Sequence, residues 1–209
     1  MFTGLVSDVG RVVAVEGDAQ LRRITIESAY DPATIALGAS IACSGPCLTA
    51  VHIETHGTGC RFAVDAAAET LARTTVGGWK EGTRLNLERS LKIGDELGGH
   101  LVTGHVDGLA EIVTRETVTG DDAPWGASTR FVLRAPVNLA RFIAEKGSVC
   151  LDGTSLTVNS AEGDTFSVLL IPHTLGVTTW GERAAGDRVN LEVDLIARYA
   201  ARLSEARAA

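Results

Sequence analysis

The sequence of 209 residues has little positive charge and few aromatic residues, and it has no long apolar run. Lys and Arg total 19 against 26 for Asp and Glu, which gives a formal net charge of −7. Because binding along nucleic-acid phosphates needs clustered Lys and Arg, this balance disfavours a nucleic-acid partner. No apolar run approaches the roughly 18 residues of a membrane helix, and no basic, apolar leader opens the chain. We therefore expect a cytoplasmic protein that binds neither nucleic acid nor a membrane.

Proline and cysteine are also scarce, whereas glycine is abundant. The chain has 5 prolines and 4 cysteines but 23 glycines. Frequent glycine beside many Val, Thr and Ile residues is typical of short strands joined by tight turns. Cys43 and Cys47 have no second cysteine pair at zinc-site spacing, so we expect no metal there. Free thiols fit a cytoplasmic protein.

The chain contains one internal repeat. With an offset of 104, residues 62–91 match residues 166–195 at 13 of 30 positions, where chance gives about two. Shorter blocks around residues 40–49 and 3–6 recur at offsets of 108 and 100. The repeat therefore predicts two copies of one structural unit.

The changes of offset fall in two segments that we interpret as surface loops, where insertions are tolerated. These segments are Gly120–Ser128 and His52–Gly59. We expect an N-terminal domain at 1–97, a C-terminal domain at 98–194 and a tail at 195–209.

Each copy has the pattern of short strands around a small core. Six antiparallel strands in so short a unit predict a closed barrel, because closure removes exposed strand edges. The sequence thus predicts a mainly β protein of two tandem six-stranded barrels. Short helical turns are predicted at Asp31-Pro32 and Ala135-Pro136, with proline at a tolerated first position. The predicted strands are Arg11–Val15, Leu21–Glu27, Ser40–Cys43, Cys47–Glu54, Arg61–Ala66, Arg84–Arg89, Ser148–Leu151, Thr154–Glu162, Thr165–Ile171 and Arg188–Val193.

The tail predicts an amphipathic α-helix over residues 195–208, which contain neither Gly nor Pro. The first copy has no equivalent of this helix. The helix therefore either packs back on its own chain or joins copies of the chain, and we favour the second. The apolar face carries Leu195, Ile196, Tyr199 and Leu203, and the opposite face, suited to solvent, carries Arg198, Arg202, Glu205 and Arg207.

Polar positions shared between the copies indicate a small ligand bound once per copy. A dimer of barrels fused into one chain explains shared core positions such as Phe62 and Phe166. It explains less easily why hydroxyl groups recur, although some of them serve turns or helix caps. The recurring hydroxyl residues are Ser40/Ser148, Thr49/Thr157 and Thr70/Thr174.

The copies differ at reactive positions. Leu5 of the first copy corresponds to His105 of the second, and Cys47 corresponds to Ser155. Histidine carries protons near neutral pH, and cysteine acts as a nucleophile. Two similar sites with different reactive groups suit a reaction between two molecules of one compound, with one donor and one acceptor.

Six ordered segments carry a family signature. They are MFTGLV at the start, SIACSGPCLTAV (40–51), NLERSLKIGDELGGHLVTGHVDG (86–108), KGSVCLDGTSLTVNS (146–160), LIPHTLGVTTWGER (170–183) and VNLEVDLIARYAARL (189–203). Together they resemble riboflavin synthases of the trimeric α-chain type over essentially the whole chain.

This resemblance implies two six-stranded Greek-key barrels and a C-terminal helix that joins three chains. It implies an active site between the N-terminal barrel of one subunit and the C-terminal barrel of the next. The implied reaction is a dismutation of two 6,7-dimethyl-8-ribityllumazine molecules by transfer of a four-carbon unit. The products are riboflavin and 5-amino-6-(D-ribitylamino)uracil, and neither a cofactor nor a metal is used. The resemblance also implies lumazine synthase as a partner.

Carried over residue by residue, the resemblance implies His105, Cys47 and Ser40 as candidates for proton transfer and for handling the nucleophile. It implies a substrate pocket in each barrel. The N-terminal pocket uses Gly4, Leu5, Val6, Cys47, Leu48, Thr49, Asp65, Ala66, Ala67, Ala68, Glu69 and Thr70. The C-terminal pocket uses Gly104, His105, Val106, Lys146, Ser155, Leu156, Thr157, Leu169, Leu170, Ile171, Pro172, His173 and Thr174.

Two other classes of protein remain open at this point. A lumazine- or flavin-binding antenna protein on the same double barrel retains its ligand without turnover. A purely structural tandem barrel binds neither compound. The presence of Ser40, Cys47 and His105 favours the enzyme.

Overall fold

A computed structural model describes residues 1–119 and 126–208. The first copy forms a closed antiparallel barrel with strand order β1-β2-β5-β4-β3-β6. The non-sequential neighbours β2–β5 and β3–β6 are typical of a Greek key. Its strands are β1 (Asp8–Gly17), β2 (Leu21–Ser28), β3 (Ser40–Cys43), β4 (Cys47–His56), β5 (Gly59–Ala67) and β6 (Arg84–Arg89), with helix α1 at Ala68–Arg73 and 3-10 turns at Pro32–Thr34 and Thr75–Gly78.

The second copy forms a closed barrel with the same cyclic order of strands. Its elements are β7 (Gly108–Val118), β8 (Ser128–Arg134), α2 (Val137–Ala140), β9 (Ser148–Leu151), β10 (Thr154–Glu162), β11 (Thr165–Leu170), α3 (Pro172–Val177), a 3-10 turn at Thr179–Glu182, β12 (Arg188–Val193) and helix α4 (Leu195–Ala208). The prediction of two six-stranded barrels followed by a helix is confirmed.

Each barrel encloses its own apolar core. Repeat-equivalent residues occupy equivalent core positions, as Phe62 and Phe166 do. In the second barrel, the Trp180 ring meets the Phe131 ring edge-on, with 4.9 Å between their centroids. Side chains that alternate along each strand fill the interior, which explains why β-branched and aromatic residues recur at a spacing of two.

The segment His52–Gly59 is not a loop, and that prediction is wrong. Strand β4 continues to His56, a tight turn at Gly57 and Thr58 follows, and β5 begins at Gly59. Gly57 has φ of +59°, a left-handed conformation that glycine adopts without steric cost. The outer half of β4 is exposed and polar, so its composition resembles that of a loop. In the other predicted loop, Gly120–Ser128, residues 120–125 lie outside the described residues, and Ser128 begins β8.

Two buried asparagines hold the barrels together by reciprocal hydrogen bonds. Asn86 of β6 donates to the Asp152 carbonyl at 2.8 Å and accepts from the Thr179 amide at 2.8 Å. Asn190 of β12 donates to the Ser44 carbonyl at 2.7 Å and accepts from the Thr75 amide at 2.8 Å.

The chain start also crosses between the two copies. Phe2 and Val102 form an antiparallel bridge, with amide-to-carbonyl distances of 2.8 and 3.0 Å. The two copies are therefore related by an approximate two-fold arrangement of equivalent contacts.

Helix α4 contacts the second barrel through its charged face. Arg198 pairs with Asp107 at 2.7 Å, and Glu205 pairs with Arg141 at 2.8 Å. The expectation that this face turns to solvent is therefore wrong for Arg198, which reaches back to the barrel. On the apolar face, Ile196, Tyr199 and Leu203 are 71%, 60% and 66% exposed. In residues 1–119 and 126–208, no helix has the length and apolar character to cross a membrane.

We predict that Asn86→Ala and Asn190→Ala each lower the free energy of unfolding by about 1–3 kcal/mol, because their buried partners lose hydrogen bonds. Denaturant unfolding measures this loss. The matched control is Asn138→Ala, at an exposed position of α2, which should stay within about 0.5 kcal/mol of the wild type. Buried variants as stable as the control would contradict the role of the asparagines.

Candidate active site

Two buried carboxylates fix the segments that follow the Phe2–Val102 bridge. Glu88 accepts from the Thr3 amide at 2.7 Å, the Thr3 hydroxyl at 2.9 Å and the Gly4 amide at 2.9 Å. Glu192 accepts from the Thr103 amide at 2.7 Å, the Thr103 hydroxyl at 2.6 Å and the Gly104 amide at 2.9 Å. The repeat thus forms the same set of three hydrogen bonds, here called a clamp, in both copies. We call residues 3–6 and 103–106 the clamped segments.

Each clamped segment then contacts the other barrel. The Gly4 carbonyl accepts from the Ser155 amide at 2.8 Å, and the Gly104 carbonyl accepts from the Cys47 amide at 2.9 Å. Both glycines are in the left-handed region, with φ of +75° and +76°. A Cβ atom on Gly104 would lie 2.5 Å from the Cys47 Cβ, so only glycine fits this approach.

This geometry corrects the predicted grouping of the pocket residues. Gly4, Leu5 and Val6 were expected in the N-terminal pocket, but Gly4 contacts Ser155 of the C-terminal barrel. Gly104, His105 and Val106 were expected in the C-terminal pocket, but Gly104 contacts Cys47 of the N-terminal barrel. The sequence shows which segments are equivalent, but it does not show which barrel each segment contacts.

A cavity of about 380 Å³ opens beside Cys47 and His105. Cys47 is half-buried and His105 is exposed, so both side chains are accessible. The Glu69 carboxylate in this cavity pairs with Arg73 at 2.7 Å. The lining residues are Pro46, Cys47, Glu69, Thr70, Arg73, Thr74, Gly104, His105, Val106 and Asp107.

Ser40 lies in a different cavity, of about 430 Å³. Leu5, Thr3 and Glu88 line the same cavity, together with the linker residues that follow β6. Within one chain, the structure therefore unites Cys47 with His105 but does not bring Ser40 to them.

His100 contacts Ser155, a predicted residue of the C-terminal pocket, and the sequence assigned His100 no role. Its Nδ1 lies 2.6 Å from the Ser155 hydroxyl oxygen, and its amide donates to the Thr3 carbonyl at 3.2 Å. Burial lowers the pKa of His100, and the nearby Asp194 and Glu192 oppose that shift. The Gly98-Gly99 pair before His100 is the signal in the sequence, because a Cβ on Gly99 would lie 2.0 Å from the Thr3 carbonyl oxygen.

Several predicted binding residues face away from open space. The side chains of Leu48, Ala66 and Leu170 are buried in the barrel cores, so they offer a ligand only backbone atoms. The Asp65 carboxylate is half-buried rather than enclosed, and it is occupied by a pair with Arg23 at 2.8 Å, whose guanidinium lowers the pKa of Asp65.

The remaining predicted residues are accessible. In both barrels, a short helix follows the strand that carries several of these residues: α1 follows β5, and α3 follows β11. The residues that are half-buried or exposed are Ala67, Ala68, Glu69, Thr70, Thr49, Leu5, Val6, Lys146, Ser155, Leu156, Thr157, Leu169, Ile171, Pro172, His173 and Thr174.

Cys47 is the most accessible of the four cysteines, all of which are unpaired. Cys43, Cys60 and Cys150 are buried, and burial raises the pKa of each of these thiols. Only Cys47 is therefore placed to meet a ligand. Among residues 1–119 and 126–208, no three His, Cys, Asp or Glu side chains are grouped so as to hold a metal ion.

Comparison with known proteins agrees with this double architecture. The family model described as lumazine binding domain matches the chain twice, at residues 3–90 and 103–194. The riboflavin synthase of Brucella abortus (strain 2308) is 58% identical over 206 residues, which cover 98% of this chain and 98% of that protein. The riboflavin synthase of Bacillus subtilis (strain 168) is 34% identical over 199 residues, covering 95% of this chain and 87% of that protein.

Solved structures share the fold at low sequence identity. A crystal structure of LumP complexed with riboflavin has a TM-score of 0.77 and 21% identity, covering 92% of this chain and 99% of that chain. LumP complexed with 6,7-dimethyl-8-(1'-D-ribityl) lumazine has a TM-score of 0.74, 20% identity and the same coverage.

The two barrels and the two matches define a tandem lumazine-binding-domain protein. The chain belongs to the riboflavin synthase family and is an enzyme, a transferase. The resemblance seen in the sequence is thereby confirmed.

We predict that His100 makes stability depend on pH. Because the pKa of His100 is lowered in the fold, the unfolded chain takes up this proton first as the pH falls below about 6.5, and the free energy of unfolding decreases. Denaturant unfolding should show the wild type losing more stability than His100→Gln between about pH 7.5 and pH 5. The exposed His52→Gln is the control and should lose as much as the wild type. A loss in His100→Gln equal to that of the wild type would contradict this prediction.

Proposed function

We propose that the protein catalyses the dismutation of two 6,7-dimethyl-8-ribityllumazine molecules into riboflavin and 5-amino-6-(D-ribitylamino)uracil. The observation that carries this proposal is the cavity in which the clamped Gly104–His105 segment meets Cys47. The same backbone contact recurs between the Gly4 carbonyl and the Ser155 amide. One molecule gives up a four-carbon unit and the other receives it, so the reaction balances without a further reactant.

Two lumazine sites per chain follow from the regrouped segments. Both sites combine a strand of one barrel with the clamped segment of the other copy. The first site comprises Cys47, Leu48, Thr49, Asp65, Ala66, Ala67, Ala68, Glu69 and Thr70 with Gly104, His105 and Val106. The second comprises Lys146, Ser155, Leu156, Thr157, Leu169, Leu170, Ile171, Pro172, His173 and Thr174 with Gly4, Leu5 and Val6.

The side chains divide the chemistry between them. His105, accessible at the cavity, transfers the proton when a methyl group on the lumazine ring is deprotonated. Cys47, the most accessible thiol, is the candidate that supplies or positions the nucleophile added to the lumazine ring. Ser40, which lines a separate cavity with Thr3 and Leu5, is the third candidate for proton transfer or for handling the nucleophile. Holding two rings face to face contributes up to about 7–11 kcal/mol in favourable cases.

Deprotonation places negative charge on the pyrimidine carbonyl groups of the lumazine. Backbone amides at residues 65–70 and 169–174 stabilise this charge. The two sites differ here, because Pro172 at the start of α3 has no amide hydrogen, whereas Ala68 at the start of α1 has one. We expect the first site to bind the charged ring more strongly.

Assembly into a homotrimer is part of the proposal. Helix α4 presents Ile196, Tyr199 and Leu203 to solvent while its charged face contacts its own barrel. Such an apolar stripe suits contact with the same helix of other copies. The complete active site then lies between the first site of one subunit and the second site of the next.

We also infer a cytoplasmic location, which the unpaired cysteines fit, and an association with lumazine synthase.

The reaction is tested by incubating the protein with the lumazine alone. We expect riboflavin and the pyrimidine in equal amounts, whereas an antenna protein would retain the ligand without forming riboflavin.

His105→Gln and Cys47→Ala should each lower turnover, His105→Gln by about 10²-fold or more, since a proton carrier is lost. His52→Gln, another exposed histidine, is the control. Full activity in either site variant would remove that residue from the catalytic set.

Deleting residues 195–209 tests the assembly. Burying a Leu-sized side chain contributes about 1.5–3 kcal/mol, so loss of the stripe should produce monomers. Monomers should be nearly inactive, because the site spans two subunits. Light scattering gives the mass, and turnover is compared at matched concentration. A truncated chain that stays trimeric refutes the role of the helix, and a fully active monomer refutes the shared site.

A further inference from the structure

We propose that Glu192 is a positioning residue for the reaction: its buried carboxylate fixes the backbone that carries His105 and, through Gly104, the start of β4 at Cys47. This inference rests on the proposed function. It adds a residue that touches neither substrate nor reacting atoms.

The geometry around Glu192 leaves the segment little freedom. The residue is 3% exposed, and its two carboxylate oxygens accept three hydrogen bonds of 2.6 to 2.9 Å from Thr103 and Gly104. Two of these bonds come from consecutive backbone amides, so they fix the two peptide planes on either side of Thr103, and the plane that joins Gly104 to His105 follows directly. Hydrogen bonds to a charged acceptor are among the strong ones in proteins.

Gly104, which Glu192 holds in place, is in tight contact with Cys47. The Gly104 carbonyl accepts the Cys47 amide at 2.9 Å, and the space for a Cβ on Gly104 is already filled by Cys47. Displacing the clamped segment would therefore strain or break this contact and change the position of His105 relative to Cys47. Glu192 is not among the described residues that line their cavity, so its effect on His105 and Cys47 passes through this backbone.

The repeat supplies a matched comparison. Glu88 is 7% exposed and makes the same three contacts with Thr3 and Gly4. Its segment carries Leu5 where the other carries His105. A purely structural role predicts the same consequences for the loss of either carboxylate. A positioning role predicts that only the loss of Glu192 acts through His105.

Glu192→Gln and Glu88→Gln are the test variants because they keep size and shape. In each, the amide oxygen can still accept from the threonine, but the amide NH₂ then faces the glycine N–H, so two donors oppose each other. Both variants should lose similar thermal stability. If either fails to fold, Thr103→Val and Thr3→Val replace the pair, since each removes the hydroxyl contact to its carboxylate. Thr3→Val also removes the hydrogen bond that the Thr3 hydroxyl accepts from the Leu5 amide.

The experiment is a double-mutant cycle with His105→Gln in the full chain, with riboflavin formation from the lumazine as readout. We expect Glu192→Gln to lower turnover by up to about 100-fold in the wild-type background, because small misplacements of reacting groups have effects of this size. In the His105→Gln background, the same change should lower turnover only a few-fold, by about threefold or less. Glu88→Gln should have the same effect in both backgrounds. In the pH profile of kcat/KM, the decline that depends on His105 should disappear in Glu192→Gln and remain in Glu88→Gln.

Each outcome decides the matter. Equal losses from Glu192→Gln in both backgrounds, with the decline that depends on His105 intact, overturn the positioning role and leave the proposed function standing. Normal turnover in His105→Gln alone refutes the catalytic role of His105, and the positioning role with it. Absence of riboflavin formation by the wild type refutes the proposed function itself.

Discussion

The exchange of two short segments between the barrels is the constraint on which the candidate site depends. The Gly4 carbonyl binds the Ser155 amide, and the Gly104 carbonyl binds the Cys47 amide. Each barrel has a complete core of its own, so this exchange is not needed to close either barrel. It is needed to place His105 beside Cys47, because these residues belong to different copies of the repeat.

Buried polar groups make this exchange specific. A buried carboxylate or amide is costly unless its hydrogen bonds are made, so Glu88, Glu192, Asn86 and Asn190 penalise any arrangement in which the partner segment is missing. Apolar packing alone would tolerate several orientations of two barrels. The paired side chains favour one orientation, and in that orientation the segments of both candidate sites come together.

The sequence predicted the barrels because strands are recognised from the alternation of apolar residues within short stretches, and this alternation occurs in both copies. It also singled out Cys47 and His105 as candidates, because they stand where the copies differ, and their catalytic role stays a prediction. It did not predict that Gly104 contacts the opposite barrel, since an alignment of copies compares positions and contains no contacts. His100 was missed because its partner Ser155 is distant in sequence. The inward contacts of Arg198 were missed because a charged helical face resembles one turned to solvent.

The most direct test is a crystal structure of the full chain with the lumazine bound. The account predicts one ligand in contact with both the Cys47–Thr49 strand and the Gly104–Val106 segment. A second ligand should contact both the Ser155–Thr157 strand and the Gly4–Val6 segment. A ligand held between the Cys47–Thr49 strand and the Gly4–Val6 segment would contradict the exchange of segments and, with it, the construction of both sites.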